Sequence, residues 1–278
     1  MAELLFRCFA SGSSGNCYYL GSRQEGILID AGISARAIRS YLVEMGLDFG
    51  NIKGVLVTHD HADHIRAVGV IGEKFHIPIY GTKLIHTGID KNYGLFEKLR
   101  TSRAFYNLGE EFEICGMKVN TIPVSHDSTQ CVSYQIEAHG VHFMIATDVG
   151  CVDEAMEEAV SKAEHLVIEA NHDEDLLLNG PYPSYLKSRI LSDIGHMSNR
   201  TCGQLLAEHA GQGLKNIWLC HLSKENNDPE VAYTTISDYL REAGIEAGKD
   251  VNLNVLERLN PSPLYDLTNN TTISLKLV

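Results

Sequence analysis

Short apolar runs recur along the chain, cut apart by Gly, Ser, Asn and charged clusters, and their spacing predicts most of the elements. Residues 4–9 and 17–20 read as strands, and the Ser11-Gly12-Ser13-Ser14-Gly15-Asn16 segment between them predicts a hairpin. A phosphate-cradling loop is the sharper reading of that segment, but no helix follows it and the Gly-Lys-Ser/Thr ending is absent. Residues 27–30 form a third strand, followed by Ala37, Ile38, Tyr41, Leu42 and Met45 at helical spacing. The run 54–58 is β-branched and bounded by Gly, as in a strand buried on both faces. Residues 67–75 should be helical, 77–80 an edge strand because Pro78 cannot donate to an interior ladder, and 82–104 helix and loop. Strands near 111–114, 117–122, 131–137 and 141–146 follow as a meander.

The second half changes rhythm. Strands at 165–169 and 216–220 alternate with helices near 184–191, 198–210 and 229–243, and strands around 251–256 and 273–277 close the chain. No Pro/Gly linker or fixed-period repeat divides it. Polar clusters that could share one site end strands in both halves, which predicts one domain over 1–278, an α/β sandwich of αββα layering with a duplicated βα pattern.

Composition narrows the class. With 44% hydrophobic residues there is material for a sizeable core, yet the apolar runs are strand-length, short of the ~20 residues of a membrane helix. The first residues lack a basic segment followed by a long apolar one, so a cytoplasmic protein without a membrane span is expected. Seven cysteines stand singly with no Cys-Xaa-Xaa-Cys pair, as small reduced residues; Cys8, Cys17, Cys115, Cys131 and Cys220 lie in strand-like runs and are expected in the core. A net charge of −13 argues against a general nucleic-acid binder, but not against an enzyme whose bound cations meet a phosphate. Residues 83–103 hold five cations (Lys83, Lys91, Lys98, Arg100, Arg103) against two acids (Asp90, Glu97), either a substrate-facing rim or, the favoured account, a solvated helix face.

The most specific chemistry is in Thr58-His59-Asp60-His61-Ala62-Asp63-His64-Ile65. His59 and His61, two apart in extended chain, share a side and can share one metal; Asp63 and His64, past the bend, can serve a second. Ser125-His126-Asp127 and Thr147-Asp148-Val149-Gly150 each put one metal-type residue at a strand end. His76 and His86 have no ligand-spaced neighbour and read as ordinary histidines; Asp30 reads as a turn cap ahead of a residue that orients a metal ligand.

The pattern His59-Xaa-His61-Xaa-Asp63-His64 resembles the signature of the metallo-β-lactamase fold, a four-layer αββα sandwich. That resemblance implies, in order along the chain, one metal held by His59, His61 and His126, a second by Asp63, His64 and His221, and Asp148 bridging them. Five imidazoles and two carboxylates can hold two borderline divalent cations, Zn or Mn, with positions left for water and substrate. Two such ions ~3.5–4 Å apart can bridge a hydroxide nucleophile and stabilise attacking and leaving oxygens.

Glu169-Ala170-Asn171, Gly195-His196-Met197-Ser198-Asn199 and the final His221-Leu222-Ser223 are similar to the nuclease branch of that fold, which implies catalytic roles for Asp63, for His196 at the scissile phosphate or leaving oxygen, and for Glu169 holding it. Ser198 and Asn199 are then the substrate-binding candidates. The motifs at 11–16, 58–64, 125–127, 169–173 and 195–199 are most similar to the WalJ (YycJ) group of bacterial exonucleases, which implies a metal-dependent 5′→3′ exonuclease on DNA, ahead of RNA, with a role in DNA repair. Only 73 positions separate Asp148 from His221, leaving no room for a large inserted cap domain. Two alternatives stand beside this reading: hydrolysis of a small thioester or other metabolite at the same metals, and a non-catalytic metal-stabilised scaffold.

Overall fold

The structure is a computed structural model that describes residues 3–275. Its short apolar runs pair into two sheets. The first contains β1 (Leu5–Ala10), β2 (Cys17–Gly21), β3 (Gly26–Ile29), β4 (Ile52–Leu56), β5 (Ile79–Gly81) and β6 (Arg103–Phe105) in that order. The second runs in order from β7 (Phe112–Ile114) through β8 (Met117–Val124), β9 (Cys131–Ala138), β10 (Val141–Ala146), β11 (His165–Glu169) and β12 (Asn216–Cys220) to β13 (Asn252–Val255). β14 (Leu264–Asp266) and β15 (Thr271–Ile273) return to the first sheet beside β1. Strands β3 to β6 and β10 to β13 are parallel, the rest antiparallel. The β1–β2 hairpin is present, with Cys8 opposite Tyr18.

Among the described residues nine α-helices flank the sheets: α1 (Ala35–Glu44), α2 (Ala62–Ile65), α3 (Val68–Phe75), α4 (Lys83–Lys91), α5 (Glu154–Lys162), α6 (Glu174–Asn179), α7 (Ser184–Ile190), α8 (Asn199–His209) and α9 (Pro229–Glu242). Ser34, Thr82, Asp153, Asp173, Ser198 and Asp228 each accept a backbone N–H of the helix they precede, a cap that stabilises by ~1 kcal/mol. The faces of the sheets meet at Phe6, whose ring lies 5.2 Å from Phe143 and 4.7 Å from Trp218. The opposite face of the second sheet, with Met144, Ile168 and Leu219, packs on Val160 of α5, Leu206 of α8 and Ile236 of α9. Ile38 and Leu42 of α1 and Ile71 of α3 join the core on the first sheet. The layers are therefore helix, sheet, sheet, helix, the αββα sandwich expected.

Three expectations change. β5 is an interior strand, flanked by β4 and β6, because Pro78 stops short of the ladder and only its carbonyl takes part, accepting from Val55 N. Cys115 is half-buried in the left-handed turn between β7 and β8, not in a strand. α5 and α6 have no counterpart in the sequence reading, since only Met156, Ala159 and Val160 of α5 and Leu177 of α6 are buried, too few to show a period. Of the strand expected over 273–277, Ile273 ends β15, and Lys276 and Leu277 lie outside the described residues. No helix among the described residues is long and apolar enough to cross a membrane.

Candidate metal centre

The centre forms where strands of both sheets end. Past β4, Thr58 to Ile65 turn sharply into α2, bringing His59, His61, Asp63 and His64 to the gap between the sheets. β8 leads to His126, β10 to Asp148, β11 ends at Glu169 and β12 at Cys220, just before His221. Potential ligand atoms of His59, His61 and His126 lie within 4.8 Å of one another, and so do those of Asp63, His64 and His221. Asp148 stands between the two groups: its Oδ2 is 3.3 Å from His64 Nε2 and its Oδ1 is 3.6 Å from His126 Nε2 and 3.5 Å from His221 Nδ1.

Each ring is aimed by a bond on its far side. His64 Nδ1 meets Asp30 Oδ2 at 2.7 Å, and Asp30 also accepts from Thr58 N and Oγ1 at 2.9 Å, so this carboxylate orients a site histidine as well as holding the turn. That corrects the preference for a purely structural Asp30. His126 Nδ1 meets Gly195 O at 2.9 Å, and His221 Nδ1 meets Glu169 Oε1 at 2.9 Å. His59 Nε2 and His221 Nε2 are buried and make no hydrogen bond. What sets these two apart is that they converge with other imidazole and carboxylate donors, and a set of N and O donors without thiolate suits Zn²⁺, Mn²⁺ or Fe²⁺. These residues fit a divalent metal.

The electrostatics point the same way. Burial pushes His59 well below its ordinary value, and His64 adds to that, so its ring is neutral and able to ligate. Burial, the largest single influence, opposes charge on His64 and His221, but the surrounding carboxylates together outweigh it, Asp148 with Asp30 and Asp63 for His64 and Asp148 with Asp63 and Glu169 for His221, raising the first well and the second to about 10. Asp148, despite its burial, is held well below the carboxylate range by His221, His64 and His59.

Glu169 is fully buried and fully used. Oε1 meets His196 Nδ1 at 2.8 Å and His221 Nδ1 at 2.9 Å; Oε2 accepts from Val149 N at 2.7 Å and Met197 N at 3.0 Å. Burial alone would raise its carboxyl, yet His196 and these bonds hold it at about 2. His196 is partly exposed, its ring centre 5.0 Å from that of His126 and 5.2 Å from that of His221.

The two expected substrate-binding residues are committed elsewhere. Ser198 caps α8, accepting from Thr201 N at 3.1 Å and donating to Glu174 Oε1 at 3.2 Å; Asn199 is buried with its Nδ2 donating to Asn227 Oδ1 at 2.9 Å. Starting the helix engages the first, and packing its first turn engages the second. His86 is an ordinary helix histidine, bonded to Ala104 O.

The tip of the β1–β2 hairpin and other neighbours also reach the centre. Asn16, at the hairpin tip, meets His64 Nε2 through its Nδ2 at 2.9 Å, and its N–H donates to Asp63 O at 2.7 Å. Ser11 Oγ accepts from His221 N at 2.9 Å. Asp127 pairs through Oδ2 with Arg189 Nε, while its buried Oδ1 has no hydrogen bond and lies 3.4 Å from His126 Nε2. Adjacency to His126 was the available signal for Asp127. Asp60 accepts from Thr129 N and Oγ1 at 3.0 and 2.8 Å, pinning the His126 loop to the histidine motif.

A family model described as a β-lactamase superfamily domain matches residues 25–221. The chain is 33% identical over 269 residues to the exodeoxyribonuclease WalJ of Streptococcus pneumoniae serotype 2, covering 96% of this chain and 100% of the relative. It is 33% identical over 247 residues to the exodeoxyribonuclease YycJ of Bacillus anthracis, covering 88% and 92%. Among solved structures, the metallo-β-lactamase fold protein YhfI of Bacillus subtilis superposes with a TM-score of 0.68 at 15% identity over 94% of this chain and 99% of that one, a likeness of fold.

Proposed function

Since the chain belongs to the β-lactamase superfamily, we propose that this metal-dependent hydrolase is an exodeoxyribonuclease that carries two divalent ions, zinc or manganese, and removes nucleotides from the 5′ end of DNA. The WalJ and YycJ names support the substrate, and seven free cysteines agree with a reducing cytoplasm. We read residues 1–278 as one domain, because the ligands come from both halves.

The observation that carries the reading is the Glu169–His196 pair beside the ligand cluster. His59, His61 and His126 would hold one ion, Asp63, His64 and His221 the other, with Asp148 shared. Bound there, two divalent ions supply Lewis-acid stabilisation of a phosphodiester's developing charge and bring the pKa of a water toward ~7. The chain's own part is proton handling and orientation. Glu169 takes the Nδ1–H of His196, which fixes the ring and supports its imidazolium form, whose Nε2–H is then the proton it gives to the leaving oxygen. Glu169 takes the Nδ1–H of His221 as well, leaving Nε2 bare for a cation. A thioesterase or metallo-lactonase at the same cluster has no comparable need for His196.

The test is digestion of 5′- and 3′-labelled DNA by purified protein with Mn²⁺ or Zn²⁺. Release of nucleotides from the 5′ end, abolished with EDTA and in a His61→Ala, Asp148→Ala double variant that binds fewer than two ions per chain, is expected. Cleavage that persists in that variant refutes the proposal.

A further inference from the structure

Beside the centre, two aromatic rings stand almost free of the protein. Tyr93 and Phe96 are 93% and 91% exposed, more than any other large hydrophobic residue described. The loop carrying them, between α4 and β6, is firmly seated. Leu95 and Leu99 are buried in the core; a Cβ on Gly69 would meet Glu97 O at 1.8 Å, and one on Gly72 would meet Leu99 at 2.7 Å. Lys98 Nζ donates to Asn92 O at 2.8 Å and Gly94 N to Asn92 Oδ1 at 3.0 Å. Asn92 Nδ2 in turn donates to Asp60 O at 3.3 Å, and Asp60 lies between His59 and His61. The fold thus exposes two rings on a loop that touches the histidine motif through Asn92, and gains no burial from them.

Their surroundings have a sign. In a chain of net charge −13, residues 83–103 carry five cations against two acids. Arg103 is spoken for by Asp90, at 2.6 and 2.9 Å. Lys98 lies 5.6 Å from the centre of the Tyr93 ring, and Lys91 and Arg100, in the same stretch of chain, are exposed. Exposed rings with cations in the same stretch suit single-stranded nucleic acid, since any base stacks on an aromatic face while Lys and Arg meet the backbone.

We propose that Tyr93 and Phe96 form a stacking platform for unpaired bases of a single-stranded DNA end, with Lys91, Lys98 and Arg100 meeting its phosphates as the strand enters the centre. The inference rests on the nuclease reading for its ligand, and it turns the cationic stretch from a solvated face into a binding one.

Trp218, the chain's one tryptophan, is fully buried, so Phe96→Trp introduces an exposed reporter. Titrating metal-free Phe96→Trp protein with oligo(dT) should quench its fluorescence, while a blunt duplex of the same length should not. By anisotropy, metal-free Tyr93→Ser and Phe96→Ser proteins with unchanged Tm should each bind labelled oligo(dT) about five- to tenfold more weakly, and the double variant more weakly still. Equal quenching by duplex, or a double variant with wild-type affinity for oligo(dT), overturns the platform, as does a double variant whose only change is its oligomeric state. These readouts need no cleavage. A wild-type protein that degrades no DNA would overturn the proposed function while the quench still decides the platform.

Discussion

Glu169→Gln changes one atom in the centre of the molecule, and its consequences follow from four hydrogen bonds. The native carboxylate accepts all four, two from backbone N–H groups of Val149 and Met197 and two from ring nitrogens of His196 and His221. A glutamine can accept on one side only, and its NH₂ must face the other pair. With the NH₂ toward the backbone, two buried N–H donors lose their acceptor at about 1–3 kcal/mol each, about 2–6 kcal/mol in all, a fall in Tm of at least ~4 °C.

With the NH₂ toward the rings, the backbone stays satisfied but both imidazoles must turn their lone pairs to it, moving the proton to Nε2. His221 then presents N–H where a cation would bind, and His196 loses the anchored Nδ1–H that sets its proton-giving atom. Either arrangement removes the negative charge that holds His196 as an imidazolium, a loss of ~10²–10⁴ in kcat. The assay is single-turnover cleavage of end-labelled DNA, run alongside Tm and metal content by mass spectrometry. A variant that keeps its Tm, its metal and a rate within about threefold of wild type would refute the account of Glu169.

Two other perturbations probe how the centre is held. A Cβ on Gly32 would lie 1.5 Å from Asp63 O and 2.7 Å from Asn16 N, which are bonded to each other, so Gly32→Ala should push Asp63 and His64 out of place; metal content falling toward one ion per chain, with Tm lowered by overpacking of about 1–3 kcal/mol or more, is expected, and wild-type metal content contradicts it. Glu73 accepts from the backbone N–H groups of Arg100, Thr101 and Ser102, and the Arg100 bond above all lowers its carboxyl to about 2. A lowered folded value means stability that is present above the ordinary 4.5 and is lost as pH falls from there to about 2. The Tm advantage of wild type over Glu73→Gln should therefore shrink across that window, modestly because the group is exposed, and amide exchange at 100–102 should quicken in the variant at neutral pH; a pH-independent gap argues against it.

Much of this centre is legible along the chain because its donors follow strands, and strands announce themselves as apolar runs. Thr58 to His64 could be read from spacing alone, and His126, Asp148 and His221 followed once a family pattern said where to look. What spacing could not show is contact across the sandwich. Asn16 and Ser11 sit in a Gly/Ser turn that resembles any hairpin tip, and only the pairing of β1 with β2 and β14 carries that tip to His64 and His221. Ser198 and Asn199 carry a second demand that spacing did not show: the segment also has to start a helix, and Ser198 caps it. The stretch 83–103 showed its charge in the sequence, but its two outward rings matter only because Leu95 and Leu99 turn inward and fix which residues face out.

The backbone at the centre explains why such residues could not be recognised by turn chemistry. Asp30, Asp148 and His221 all have left-handed φ, at 57°, 58° and 55°, each one or two residues past the end of β3, β10 or β12. At such positions Gly or Asn is the ordinary choice, and another residue there adds strain of about 1 kcal/mol or more. The same strained turn thus occurs three times, at carboxyl ends of strands in both sheets, with a charged or ligating side chain where an unstrained residue would serve the fold better. Each is held by contacts that sequence neighbours do not supply: Asp30 by Thr58 and His64, His221 by Ser11 and Glu169, Asp148 by Thr147 and the surrounding imidazoles. A turn that stabilised only the fold would not need to fix these side chains in mutual contact. The strain is tolerated because the two sheets, closing on each other, over-determine three turns whose side chains then have no direction left to face but one another.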